Sequence, residues 1–158
     1  MFVFSLNTKK IKKKFIIIFS FGILLSAVLV MFVLNEKRQS TTIKYDGGSY
    51  SAKAENTEDM KSFALQFGWE IKTPPEEVTN ILIPTYFNDI YEHYNSIQKE
   101  MGLDLSKYRG EECCKYNFKV LNYPDNDDVS LNLIVRNGRI IGGDLSENVM
   151  NGFIKKFT

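Results

Sequence analysis

The sequence predicts an α+β protein. An antiparallel sheet of four to five strands carries two amphipathic helices on one face, in the order α-β-β-α-β-β-β, preceded by one transmembrane helix. Three observations predict it. Twenty uncharged, mostly apolar residues run from 15 to 34. Two later stretches, near 60–67 and 87–101, repeat their apolar residues at helical spacing. From Glu112 onward the apolar period switches to two, and Asn137-Gly138 separates two strand-like runs.

Charge divides the 158 residues in the same places. The net charge is +1, yet residues 1–14 hold five Lys and no acid, and residues 35–158 hold 15 Lys and Arg against 19 Asp and Glu. The expected organisation is a basic cytoplasmic stub at 1–14, a transmembrane helix at 15–34, a flexible stalk at 35–56 and an extracytoplasmic α+β domain at 57–158. Fifteen of the twenty residues from 15 to 34 are Ile, Leu, Val or Phe. Twenty helical residues at about 1.5 Å each match the roughly 30 Å hydrocarbon layer, so the lipid bilayer is the expected partner of this run. Lys9, Lys10, Lys12, Lys13 and Lys14 precede it, against Lys37 and Arg38 beyond. That asymmetry predicts a single-pass protein of the cell membrane, N-terminus cytoplasmic and C-terminal domain outside. A cleaved signal peptide is the rival reading, but VMFVLNEKRQ offers no small-x-small site. Gly22 and Ser26 form a small-x-x-x-small pair, a spacing common by chance in so apolar a run.

Residues 35–56, NEKRQSTTIKYDGGSYSAKAEN, show no sustained period and contain Gly47-Gly48. They read as a flexible stalk in which Tyr45 and Tyr50 allow at most a short strand pair. The first helix begins at Asn56 or Thr57, both good N-caps. Met60, Phe63, Ala64 and Phe67 then share one face, and Gly68 sits where a C-terminal glycine belongs. Residues 69–72 read as a short strand, ended by Thr73-Pro74-Pro75, and residues 78–83 as another, ended by Pro84. The second helix places Phe87, Ile90, Tyr91, Tyr94, Ile97, Gln98 and Met101 on one arc, with Gly102 closing it.

Beyond it, Cys114, Tyr116, Phe118 and Val120 alternate with Lys115, Asn117 and Lys119, and Val129, Leu131, Leu133 and Val135 again share a face. A two-residue loop at Asn137-Gly138 sets Arg136 against Arg139, Val135 against Ile140, and Ile134 against Ile141. Continuing that register would bury Asp144 and expose Leu145, so a bulge at Gly142-Gly143 is expected to correct it.

Four segments together carry a resemblance: FALQFGWEI at 63–71, IPTYFNDIYEHYNSIQKEMGLDLSKYRG at 83–110, YNFKVLNYP at 116–124 and VRNGRIIGGDL at 135–145. They resemble a family of uncharacterised single-pass membrane proteins of low-GC Gram-positive bacteria, clostridia and relatives, that share a domain of unknown function. The resemblance covers about residues 60–155. It implies domain extent and membrane context, and no activity.

Reactive groups are sparse. His93 is the single histidine and stands at the flank of the second helix's apolar arc. Cys113-Cys114 are strand neighbours that point to opposite faces and cannot pair without distortion, with Cys114 on the core side and Cys113 an outward thiol. Asp125, Asp127 and Asp128 crowd a turn, but the residues that follow break a calcium-loop pattern. The acidic outer part disfavours nucleic acid. No metal or cofactor is expected, and no catalytic residue. Ile134 and Ile141, paired on the outer face, form the possible partner-binding site, to be covered by the C-terminal tail, a second copy of the chain, or another protein. The expected function is a membrane-anchored, non-enzymatic module that binds a protein or an envelope component. The alternative is a membrane-anchored hydrolase depending on Cys113 or His93.

Overall fold

The computed structural model describes residues 19–31 and 41–158. Along the second stretch run β1 (Thr42–Tyr45), β2 (Gly48–Ser51), α1 (Thr57–Leu65), β3 (Glu77–Leu82), α2 (Asp89–Glu100), a 3-10 helix (Leu105–Tyr108), β4 (Glu112–Lys119), β5 (Val129–Arg136), β6 (Arg139–Glu147) and β7 (Ile154–Lys155). Strands β3 to β7 form one antiparallel sheet in sequence order, and β1 pairs with β2 in a separate hairpin.

The predicted transmembrane helix is overturned. Residues 19–31 are helical, thirteen residues. Among the described residues, no helix is long and apolar enough to cross a membrane. Residues 15–18 and 32–34 of the predicted span, the basic stub at 1–14 and the first part of the stalk lie outside the described residues. The chain divides into two compact units, Met1–Ser40 and Thr41–Thr158.

Within the segment read as a stalk, the short strand pair that Tyr45 and Tyr50 allowed is formed. Residues 42–51 form the β1–β2 hairpin, and its Ile43 and Tyr50 are buried with Ala52 and Ala54 just beyond. Tyr50 explains why the segment orders. Its ring makes edge contacts with Phe63, Phe67 and Phe157, and its hydroxyl donates to the Met101 carbonyl at 2.7 Å. Such aromatic contacts add to plain area burial.

The sequence signals for α1 act as read. Asn56 caps it, its Oδ1 accepting from the Asp59 N–H at 2.9 Å, and Met60, Phe63 and Ala64 are buried. The strand expected at 69–72 reduces to one bridge, Ile71 to Val120. The Asn137-Gly138 loop takes positive φ at both residues, 49° and 73°, and sets Arg136 against Arg139 as the type I′ geometry demands.

Strand β6 does bulge, one residue earlier than expected. Val135 pairs with Ile140 but Ile134 pairs with Gly142, so Ile141 is the extra residue. The bulge has the predicted consequence: Leu145 is buried opposite Leu131, and Asp144 lies on the other face opposite Asn132. Glycines make the close packing possible. A Cβ on Gly143 would stand 2.5 Å from the Asn132 carbonyl oxygen, and one on Gly142 would stand 2.9 Å from Leu105 Cδ2.

Both sheet faces are covered, which corrects the expectation of helices on one face. Leu131, Leu133 and Val135 join α1, the hairpin, Phe118, Leu145 and Phe157 in the larger cluster. Ile134, one step out of phase, joins Ile83, Leu105, Cys113 and Ile141 in a second cluster, with Tyr91 and Tyr94 of α2 packed on it. The two clusters lie on opposite faces of the sheet.

Candidate interaction site

The two edges of the five-stranded sheet differ. On the outer side of β6, the Ile140 N–H donates to the Ala52 carbonyl at 2.8 Å and the Ala54 N–H to the Gly138 carbonyl at 2.8 Å, with Lys53 bridged to Arg139. Gly143 N–H donates to Gln98 Oε1 at 2.8 Å. Farther along, β7 pairs with Leu145 and Ser146. This edge is therefore closed by main chain, by one buried glutamine and by a short strand.

Strand β3 forms the opposite edge. Its register with β4 runs without a shift from Glu77–Asn117 to Leu82–Glu112. Ile83 N–H donates to the Glu111 carbonyl at 3.0 Å, in phase with that register. Antiparallel bonds alternate, so the odd-numbered residues turn their backbone groups to β4, and Val78, Asn80 and Leu82 turn theirs outward. Among the described residues, no backbone bond from another segment reaches those three. Val78 is 53% exposed and Leu82 61% exposed, on the same side of the strand. The usual protections of an edge strand are an internal Pro, charged side chains, a bulge or a covering segment. Among the described residues the only one of these within Glu77–Leu82 is the charge of Glu77 at its first position; the prolines stand outside it, at 74–75 and 84.

The sequence-predicted site residues lie elsewhere. Ile134 and Ile141 do not oppose each other, because the bulge separates them, and they are 4% and 2% exposed. Side chains of α2 and the 3-10 helix pack on them, and no residue of the C-terminal tail belongs to that cluster. The cysteines exchange the roles expected of them. Cys113 is buried in the second cluster, and Cys114 is half-buried beside β3, its thiol donating to Asn80 Oδ1 at 3.3 Å. Both are free thiols. Burial pushes the Cys113 thiol pKa up, which keeps it protonated and unreactive. His93 is exposed on α2. At 100° per residue it points about 200° away from Tyr91, the side chain that packs on the cluster containing Cys113. The structure does not bring Cys113 and His93 together. The acidic turn is held by its own groups, Asn126 Oδ1 accepting from the Asp128 N–H at 2.8 Å.

A buried polar network escaped the sequence reading. The Tyr94 hydroxyl donates to Asp144 Oδ2 at 2.7 Å, and Asn132 Nδ2 donates to Asp144 Oδ1 at 2.9 Å and to Ser146 Oγ at 2.7 Å. Asn117 Nδ2 donates to Asn132 Oδ1 at 3.0 Å. Asp144 is 6% exposed, and burial raises its carboxyl pKa above the ordinary value, against the opposing pull of its hydrogen bonds and of Lys115. Tyr94 is held protonated well above the usual phenol range, by burial first and then by the Asp144 charge. Both Asp144 oxygens are engaged by donors from α2 and β5, an arrangement that joins a helix to the sheet.

These features define an α+β domain with a five-stranded antiparallel sheet closed on one edge and open on the other. The chain belongs to the DUF4830 family, a domain of unknown function whose family pattern matches residues 63–145, from the last turn of α1 to Leu145 of β6. No curated protein and no solved structure matches it.

Proposed function

We propose that this domain is a binding module rather than an enzyme, and that its partner is a protein engaged through the edge of β3. The observation that carries the reading is a six-residue, unbulged, uncovered edge strand with exposed Val78 and Leu82. Such an edge presents a row of donors and acceptors that another strand satisfies, with side-chain contacts adding selectivity. The hydrolase alternative, depending on Cys113 or His93, draws less support: Cys113 is buried in the second cluster, and His93 is exposed on the outer side of α2.

The test is site-specific photo-crosslinking in cells that express the chain. A photoreactive residue at Val78 or Leu82 should give a discrete protein adduct, and the same residue at the exposed Met150 should not. A folded chain that yields no adduct from either β3 position, or equal adducts from all three, contradicts the reading.

A further inference from the structure

We infer that the strand which completes the β3 edge is β3 of a second copy of this chain, paired antiparallel about a two-fold axis through Asn80. The inference rests on the binding-module reading and names its partner. It comes from the order of residues along the edge. Val78 and Leu82 stand two positions either side of Asn80, and all three present their free backbone groups outward. A two-fold at Asn80 sets Val78 of each copy against Leu82 of the other, and Asn80 against Asn80. All three are hydrogen-bonded positions, giving about six main-chain bonds across the axis.

Other registers are worse. Centring the axis on Thr79 sets Val78 against Asn80 and leaves Leu82 without an apolar opposite. Centring it on Ile81 sets Val78 against Pro84, which has no N–H to donate. Charge agrees with the Asn80 axis. Glu76 and Glu77 lie at one end of the strand, and the antiparallel arrangement sends the two copies' pairs to opposite ends, against Pro84 and Ile83. A parallel arrangement would set Glu77 beside Glu77, a like-charge pair. The surface is self-complementary, the property a two-fold interface requires. Two paired strands cover less than the roughly 800 Å² per partner of a standard interface. The dimer is therefore a weak, concentration-dependent one, to which the exposed Tyr86 and Ile90 beyond Pro84 can add contact area.

Residues 41–158 contain both hydrophobic clusters and every strand pairing, so this unit can be studied alone. Sedimentation of the purified unit should show an average mass that climbs from one copy toward two as concentration rises. The double variant Val78→Lys, Leu82→Lys should stay at one copy at every concentration while melting as the parent does, and Met150→Lys should dimerise like the parent. Amide exchange of the unsubstituted unit provides a second reading that needs no variant: protection at Val78, Asn80 and Leu82 should grow with concentration. A unit that remains a single copy up to millimolar concentration, or a lysine variant that dimerises as well as the parent, overturns the inference. If the crosslink at Val78 then falls on a different protein, the binding module stands and only the second copy is rejected. If no crosslink forms at all, both readings fail.

Discussion

The two edges of one sheet are finished in opposite ways. Along β6, outward groups find partners within the chain: Ile140 and Ala54 through main chain, Gly143 through Gln98, and Leu145 and Ser146 through β7. Along β3, Val78, Asn80 and Leu82 turn theirs to the outside. The difference shows where stability and interaction reside. The closed edge carries the hairpin, the tail and the aromatic contacts of Tyr50 and Phe157, so changes there act on folding. The open edge carries side chains that touch little of their own chain, so changes there act on association.

The largest expected effect lies on the closed side. Phe157 is buried and packs against Tyr50, Phe63 and Phe67. Phe157→Ala should lower the unfolding free energy by about 3–5 kcal/mol in chemical denaturation, because truncating a buried aromatic leaves a cavity. A loss below about 1 kcal/mol would mean that the tail contributes little to the closed edge.

Next comes Gln98. Gln98→Leu removes the acceptor for the Gly143 N–H and should cost about 1–3 kcal/mol, the range for a buried donor left unpaired. Amide exchange at Gly143 should accelerate in the same variant. Unchanged protection would show that this edge is shielded by packing alone.

The Asp144 network adds a pH signature. Its folded pKa lies above the ordinary carboxylate value, so the folded chain binds more protons than the unfolded chain between the two values. Stability from this group is therefore present at low pH and lost as pH rises through that window. Comparing denaturation of the parent with Asp144→Asn, the parent should gain relative stability as pH falls from neutral toward 4 (roughly the ordinary carboxyl value). A difference that is flat in pH would mean that Asp144 titrates normally.

The smallest effect is expected on the open edge. Val78→Lys should change the unfolding free energy of the separated unit by no more than about 0.5 kcal/mol, as exposed substitutions do. A larger loss would show that the β3 side chain is engaged within its own chain.

Parts of this contrast are legible in the sequence, and for physical reasons. Asn137-Gly138 fixes a hairpin because both positions need positive φ. The N-cap at Asn56 and the Met60–Phe63–Ala64 face follow from local rules. The need for a bulge in β6 follows from the Asp144 and Leu145 parity, although the extra residue proves to be Ile141. Other features depend on tertiary partners. Asn95 looks like a surface residue, yet it is buried because its Oδ1 accepts from the Leu105 N–H, and Gln98, which falls on the apolar arc by spacing alone, is buried because it accepts from the Gly143 N–H. Ile90 fits the apolar arc of α2 and is exposed, because the helix turns Asn95 inward instead. The hairpin at 42–51 anchors through Ile43, Tyr45 and Tyr50, too few residues to show a period. Hydropathy over 15–34 points to a span, while among the described residues no helix is long and apolar enough to cross a membrane. Which strand ends as the uncovered edge is a property of the whole sheet. The one local hint is that residues 78–83 carry apolar side chains at both parities, Val78 and Leu82 against Ile81 and Ile83.

Residue-resolved amide exchange of the 41–158 unit, read by NMR from high dilution upward, tests the contrast between the edges most directly. At high dilution, Val78, Asn80 and Leu82 should exchange almost as fast as unstructured peptide while Ala54, Ile140 and Gly143 remain protected, and the first three should gain protection as concentration rises. Strong protection at Val78, Asn80 and Leu82 that does not change on dilution, or exchange at Ile140 and Gly143 as fast as at those three, would contradict the division of this sheet into a closed edge and an open one.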